Sequence, residues 1–385
     1  MGALMRRYWH PVAASAELVG NPVKAVTLLG ESLVLYRDGR SQLGLLAGAC
    51  IHRGSSLTQG AVEADGLRCP SHGWLFSREG RCLEQPFEPA GAAICDAKIT
   101  AYPVQELGGL IFAYLGPAPA PLLPRYGVLA WSDARRATDG SVIACNWLQV
   151  MENLLDPMHV EYLHGRYFAD VLARKGGPQL HDFLRFHVPP PMKEIRFDRF
   201  ADGIIERHMV RDDDDASWHA GTPSFFPTTS LVGSNGKRAS LVFIVPIDDT
   251  HTWFLLHMAE RTGAPLVQGT IPFTDVPGLN AAGGFILDSA NGQDHMVSVT
   301  QGDIARRDVE HLAASDAGIV MYRELLVEQM AQLEDGRDPM NVCRDAPADW
   351  MIDAPPGLQP PAPNWDGWSR QRRRWAERHE LAKRN

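Results

Sequence analysis

Cys50-Ile51-His52 and Cys69-Pro70-Ser71-His72 constrain this chain more than any other feature, because they supply one thiolate and one imidazole from each of two loops. That is the ligand set of a [2Fe-2S] centre in which two cysteines hold one iron and two histidines the other. Neutral imidazole in place of thiolate raises the reduction potential, so such a centre accepts electrons from a flavin or ferredoxin donor. Each loop runs on into glycine (Arg53-Gly54 and Gly73-Trp74), which lets the backbone approach the sulfurs and donate hydrogen bonds. Two Cys and two His also suit tetrahedral zinc, but zinc modules tend to pair Cys with Cys and His with His, and here the order is interleaved. The surrounding residues 20 to 115 alternate short apolar runs with turn signals such as Arg37-Asp38-Gly39 and Ala64-Asp65-Gly66, the pattern of small β-strands carrying two loops.

A second constellation follows in Asn153-Leu154-Leu155-Asp156-Pro157-Met158-His159-Val160-Glu161-Tyr162-Leu163-His164. Asp156 and His159 are three apart and share a helix face. His164 is five beyond His159, so both can bind one metal only if the helix is distorted or ends between them. Pro157 favours such irregularity, since it disfavours helical geometry at Asp156 and leaves the carbonyl of Asn153 without its donor. Two histidines and a carboxylate from elsewhere would form the facial triad of a non-heme Fe(II) oxygenase, with positions open for O2 and substrate. The plainer reading is a polar helix end with solvated histidines.

Taken together, these segments resemble the terminal oxygenase components (alpha subunits) of Rieske non-heme iron aromatic-ring-hydroxylating oxygenases, in the phthalate dioxygenase-like group. The resemblance spans nearly the whole chain: Met5-Arg6-Arg7-Tyr8-Trp9-His10-Pro11-Val12, the two cluster loops, Ala101-Tyr102-Pro103-Val104-Gln105-Glu106, the Asp156-x-x-His159-x4-His164 motif and Gly292-Gln293-Asp294. Ser71 departs from it, because an aromatic residue commonly precedes the second cluster histidine. The resemblance implies a [2Fe-2S] cluster on Cys50, His52, Cys69 and His72, a mononuclear Fe(II) and O2 as co-substrate. It lands on Asp294 as the third iron ligand beside His159 and His164, with Asp288 and Asp303 as rivals. Asp156, and with it Asn153, is expected to serve catalysis without binding metal. In the family the equivalent of Asp156 hydrogen-bonds an iron-ligand histidine on its own subunit and a cluster histidine on the neighbour. A carboxylate on the distal ring nitrogen fixes the imidazole tautomer. Such a head-to-tail contact must close into a ring, a homotrimer in the family.

The resemblance also implies the fold class: α+β, with an N-terminal all-β cluster domain at 1–120, whose first segment joins the second domain, and a catalytic domain at 121–385. The latter would be a curved antiparallel sheet on helices, of the helix-grip (START-like) kind, around iron and a mostly apolar pocket. An NAD(P)H-dependent reductase of flavin and ferredoxin type is the implied partner. The implied reaction is mono- or cis-dihydroxylation of an aromatic substrate, an aromatic carboxylate first, with O- or N-demethylation as the alternative and a non-catalytic electron carrier as a distant one. The length of 385 residues gives both domains room for a core.

A net charge of -9 argues against a nucleic-acid surface. Cys82, Cys95, Cys145 and Cys343 show no paired spacing, and thiolate ligation favours a reducing cytoplasm. No apolar run reaches signal-peptide or membrane-span length, so a soluble protein is expected. The Arg370-Gln371-Arg372-Arg373-Arg374 run among Trp365, Trp368 and Trp375 suits a docked C-terminal helix.

Gly116 to Pro121 is a stiff connector, Asn146 to Leu163 a helix, and Ser240 to Pro246 and Thr252 to Met258 strands. Asp212 to Asp215 is a solvated turn and Glu310 to Glu334 an amphipathic helix with Leu312, Ile319, Leu325 and Leu326 inward. Phe183, Phe225, Phe226, Phe243, Trp253 and Phe285 fall in the region expected to build the pocket, most of them as core. Arg207, Lys237 and Arg238 are candidates for a substrate carboxylate, and solvated strand ends account for them equally well.

Overall fold

A computed structural model describes residues 1–89, 96–175, 192–210, 218–233, 236–345 and 350–353. Phe183, Cys95, the aspartate run at 212–215 and the C-terminal Trp/Arg segment lie outside these residues.

The turn-rich first third forms eleven short strands: β1 (Trp9–Ala14), β2 (Val23–Leu28), β3 (Glu31–Arg37), β4 (Leu43–Ala47), β5 (Ala61–Glu63), β6 (Gly66–Arg68), β7 (Leu75–Phe76), β8 (Cys82–Glu84), β9 (Ala101–Tyr102), β10 (Val104–Leu107) and β11 (Leu110–Tyr114). They make sheets ordered β2-β3-β4-β9, β5-β6-β7-β8 and β1-β11-β10. Cys50 follows the end of β4, and Cys69 follows β6 directly, so each cluster loop is anchored at a paired strand end.

Beyond the connector, eight strands form one sheet: β12 (Ala134–Ile143), β13 (Met192–Phe200), β14 (Gly203–Val210), β15 (His219–Phe225), β16 (Thr229–Val232), β17 (Arg238–Pro246), β18 (Thr252–Arg261) and β19 (Phe273–Asp275). The order is β13-β14-β15-β16-β17-β18-β12-β19, antiparallel except at β12 and β19. The period of two sorts its side chains between two cores. On β17, Leu241, Phe243 and Val245 pack with Trp9, Leu35, Phe112 and Tyr114 of the first third. Val242 and Ile244 face the helices instead, with Trp147, Val150, Met151, Tyr322 and Leu325. Burial on both faces explains why β17 reads as a continuous apolar run. The N-terminal Leu4, Met5 and Tyr8 also pack in the helix-side core.

The helices are α1 (Gly2–Met5), α2 (Gly127–Ala130), α3 (Trp147–Leu154), α4 (Pro157–Glu161), α5 (Phe168–Arg174), α6 (Ala290–Val299) and α7 (Ala317–Glu334). Among the described residues none is long and apolar enough to cross a membrane. The α+β arrangement agrees with the sequence, but two helices differ from it. The expected helix from Asn146 to Leu163 is two helices and a wider turn. Asn146 caps α3 through Leu148 N at 3.0 Å, and the chain leaves helical geometry at Asp156, φ -107° and ψ 98°, before Pro157. The expected helix from Glu310 begins only at Ala317, because the Asp316 carboxylate accepts from Ala313 N at 2.7 Å and closes a single 3-10 turn. Leu312 is therefore exposed, while Tyr322, Leu325 and Leu326 make the buried face.

Candidate active site

The two cluster loops repeat one backbone design. Cys50 O accepts from Gly54 N at 2.8 Å and Cys69 O from Gly73 N at 3.1 Å, while the cysteine amides donate to Ser55 O and Trp74 O, each at 2.8 Å. Both turns close on a left-handed residue, φ +79° at Gly54 and +72° at Gly73, which is why each must be glycine. The thiols are buried. His52 and His72 meet edge to face with centroids 4.6 Å apart, and Trp74 stacks flat on His52 at 4.6 Å. Ser71 Oγ lies 2.9 Å from His72 Nδ1, so the residue that departs from the family pattern touches the ring it precedes.

The donors fit a cluster on two grounds. His52 Nδ1 is buried and has no hydrogen-bond partner among the described residues, a state that costs about 1–3 kcal/mol unless a metal takes the lone pair. Burial, reinforced by the neighbouring Cys69 thiol, pushes the Cys50 thiol up, so its thiolate depends on a metal. One zinc, with bonds of about 2.0–2.3 Å, would draw the four donors together. Among the described residues the set of three donors gathered within 4.8 Å is a different one, His159, His164 and Asp294.

That second set owes its geometry to an irregular helix. His159 lies in α4, and Tyr162–Tyr167 continues as a π-helical turn, whose i→i+5 bonding brings residues five apart onto one face. The rings of His159 and His164 consequently lie 5.2 Å apart. Asp294 arrives from α6: Oδ1 is 3.0 Å from His164 Nε2 and 3.7 Å from His159 Nε2. Each imidazole is held through its other nitrogen. His164 Nδ1 bonds Gln293 Oε1 at 2.9 Å, and Gln293 is itself anchored by donating to Leu287 O at 2.8 Å. His159 Nδ1 bonds the backbone carbonyl of Asp156. Both Nε2 atoms are thereby aimed at Asp294, the tautomer a metal needs. Burial holds the His159 pKa below its ordinary value. At His164 burial acts the same way, but the hydrogen bond and charge of Asp294 outweigh it and raise the pKa.

Asp156 is placed differently from expectation: its carbonyl, not its carboxylate, orients His159, and the carboxylate Oδ1 accepts from Met158 N at 2.8 Å, capping α4. Asn153 does not reach the histidines. Its Nδ2 donates to Asp294 Oδ1 at 3.1 Å and steadies the carboxylate. One turn earlier on the same helix face, Gln149 bonds Ser298 O and Gly302 O at 2.9 and 2.8 Å and fixes α3 against α6. The rivals to Asp294 point elsewhere: Asp288 pairs with Lys175 at 2.8 Å, and Asp303 is exposed, its carbonyl accepting from Asn146 N at 2.7 Å.

A cavity of about 330 Å³ opens on His159, His164 and Asp294, lined chiefly by Phe197, Val242, Phe254 and Leu256 from the helix-side face of the sheet, with Glu206 and His208. Phe225, Phe226, Phe243, Trp253 and Phe285 do not line it; the first three are core. Arg207 does not either. It alternates with Glu206 and His208 on β14, falls on the other face and pairs with Asp198. Lys237 and Arg238 pair with Glu260 on strand ends. The contacts the sequence reading missed are the Gln293 bond to His164 and the Glu206-x-His208 alternation, whose period of two was the available signal.

Comparisons with known proteins agree with this geometry. Residues 8–103 match the Rieske [2Fe-2S] domain, and residues 143–332 the vanillate O-demethylase oxygenase C-terminal domain. The chain is 36% identical to the 5,5'-dehydrodivanillate O-demethylase oxygenase subunit of Sphingobium sp. (strain NBRC 103272 / SYK-6), covering 92% of this chain and 82% of that one. It is 31% identical to the phthalate 4,5-dioxygenase oxygenase subunit of Pseudomonas putida, over 87% and 84%. Among solved structures, Pseudomonas putida CBB5 NdmA with caffeine superposes with a TM-score of 0.64 at 19% identity, over 91% of this chain and 98% of that one. Two metal-donor sets of the right chemistry, in domains matched in the right order, lead to one assignment: the chain belongs to the Rieske non-heme iron oxygenases, O2-using enzymes with a [2Fe-2S] cluster and a mononuclear iron, as a terminal oxygenase subunit.

Proposed function

We propose that this oxygenase removes a methyl group from a methoxylated aromatic, with ring hydroxylation as the second reading. The observation that carries the proposal is the cavity: a mostly apolar space of single-ring size ending at His159, His164 and Asp294, with no lysine or arginine among its described lining residues. A substrate carboxylate, the first expectation, therefore has no described cation to meet it. The match of 143–332 to a vanillate O-demethylase domain, and the 36% identity to a 5,5'-dehydrodivanillate O-demethylase oxygenase subunit, support O-demethylation. The identity to phthalate 4,5-dioxygenase supports the second.

In this reading Cys50, His52, Cys69 and His72 hold the cluster, and His159, His164 and Asp294 hold the iron. Bound there, the two groups would supply O2 activation, with two electrons drawn from a flavin and ferredoxin-type reductase. Phe197, Phe254 and Leu256 hold the ring and exclude water, while Gln293 and the Asp156 carbonyl keep both imidazoles facing the metal. The overall change would balance as one oxygen atom inserted into the methyl C–H bond and the other released as water with two protons, the resulting hemiacetal parting into formaldehyde and a phenol. The division near residue 120, a head-to-tail trimer and a cytoplasmic location belong to the same proposal.

Aerobic turnover of methoxylated aromatics with a matched reductase tests it. Formaldehyde equal to the phenol formed is expected. A cis-diol or a ring-hydroxylated product that keeps its methoxy group would establish the second reading.

A further inference from the structure

We propose that Glu206 and His208 form a recognition site for a phenolic hydroxyl on the substrate; this rests on the proposed function and names its substrate class. The two residues alternate on β14, lie on the cavity face, and are buried, each side chain about 10% exposed. Glu206 Oε1 is 2.6 Å from His208 Nδ1. In the tautomer set by a carboxylate accepting from Nδ1–H, the Nε2 lone pair is the free acceptor of the imidazole, and Nε2 has no hydrogen bond to a described residue.

The pair is built rather than incidental. Glu206 Oε2 also accepts from Thr222 N at 3.4 Å, and Gly221 leaves its side chain room, since a Cβ there would lie 1.7 Å from Oε2. His208 stacks on His219 with centroids 5.7 Å apart, which sets the plane of its ring. Opposite Glu206 in register stands Phe197, a wall of the cavity, so the polar pair is set into an apolar surface beside the position of an aromatic ring.

The chemistry selects the ligand. An acceptor next to an anionic carboxylate attracts a neutral O–H and repels a substrate carboxylate. An ether oxygen in the same place would leave Nε2 facing a second acceptor, the kind of mismatch by which a hydrogen-bonding site rejects an analogue. A phenol carrying an adjacent methoxy group is thus the fitting class, held by its hydroxyl at His208 with its methyl turned toward the metal site.

The test is equilibrium binding by calorimetry to oxidised protein with both metals loaded and no reductase, using 2-methoxyphenol, 1,2-dimethoxybenzene and 2-methoxybenzoate. The wild-type protein is expected to bind the phenol about tenfold more tightly than the diether. In His208→Phe, which keeps a flat ring over His219 but has no acceptor, that ratio is expected to fall below about threefold with the cluster absorbance unchanged. His208→Leu serves if the phenylalanine variant does not fold. A wild-type protein without the preference, weak binding of all three probes included, overturns the proposal. So does a preference for 2-methoxybenzoate, or a ratio above threefold in a folded variant. Because no turnover is involved, the two readings fail separately: a retained binding preference without formaldehyde release sinks the demethylase reading alone.

Discussion

At the scale of single residues, Asp294 is the decisive position. Asp294→Ala is expected to lose mononuclear iron and product while keeping the cluster spectrum, because the cluster donors sit on other loops. Asp288→Ala and Asp303→Ala are expected to keep iron, since an exposed ion pair is worth only about 0–1 kcal/mol and Asp303 meets α3 through its backbone. Iron per subunit, measured on folded protein, decides; retention in Asp294→Ala with loss in either of the others would move the ligand. The cluster residues were legible because spacing and residue type alone define the donor set. Asp294 was legible only through its Gln-Asp neighbourhood, since any of several late carboxylates could have closed the triad. Of the two readings open for Arg207, the structure supports the strand-surface one, for a physical reason. One position separates it from Glu206 and His208, and on a strand one position changes the face.

At the scale of elements, the candidate iron site draws on α3, on α4 with the π-helical turn after it, and on α6. Pro157 announced a break, and the five-residue spacing of the histidines announced a distortion, so the irregularity was readable. Its form, a π-helical turn from Tyr162 to Tyr167, was not, because it depends on packing that local sequence does not encode. The start of α6 was equally hidden. Gly292 sits where a Cβ would lie 1.8 Å from Ile286 O, so the loop before α6 folds over it, and Ser289 Oγ caps the turn from Gly292 N at 3.0 Å. Gly292→Ala must displace that loop or the helix, at a cost of about 1–3 kcal/mol. Since Gln293 and Asp294 follow directly, the variant is expected to bind iron at least about tenfold more weakly, the effect of losing ligand orientation. Metal titration of the apo form with cluster absorbance as the fold control checks this, and unchanged affinity would mean that α6 absorbs the shift without moving Asp294.

At the scale of the whole molecule, the question is how electrons cross from cluster to iron, and Asp156 is where it can be asked. Its carboxylate caps α4 through Met158 N, and its carbonyl holds His159, so neither contact in a single chain requires the negative charge. The proposed trimer would give the charge a use at a cluster histidine of the neighbouring subunit, with the Asp156 carbonyl on His159 completing the link. Asparagine caps a helix as well as aspartate does, whereas alanine forfeits about 1 kcal/mol. Asp156→Asn is therefore expected to keep the fold, both metals and the trimer, and to slow single-turnover electron transfer from reduced cluster to iron by at least about tenfold, as loss of an orienting carboxylate does. Stopped-flow oxidation of the cluster in the presence of substrate measures that rate, and light scattering measures the assembly. An unchanged rate in a trimeric Asp156→Asn, together with lower thermal stability in Asp156→Ala, would reduce Asp156 to a helix cap and place the route between the metals elsewhere.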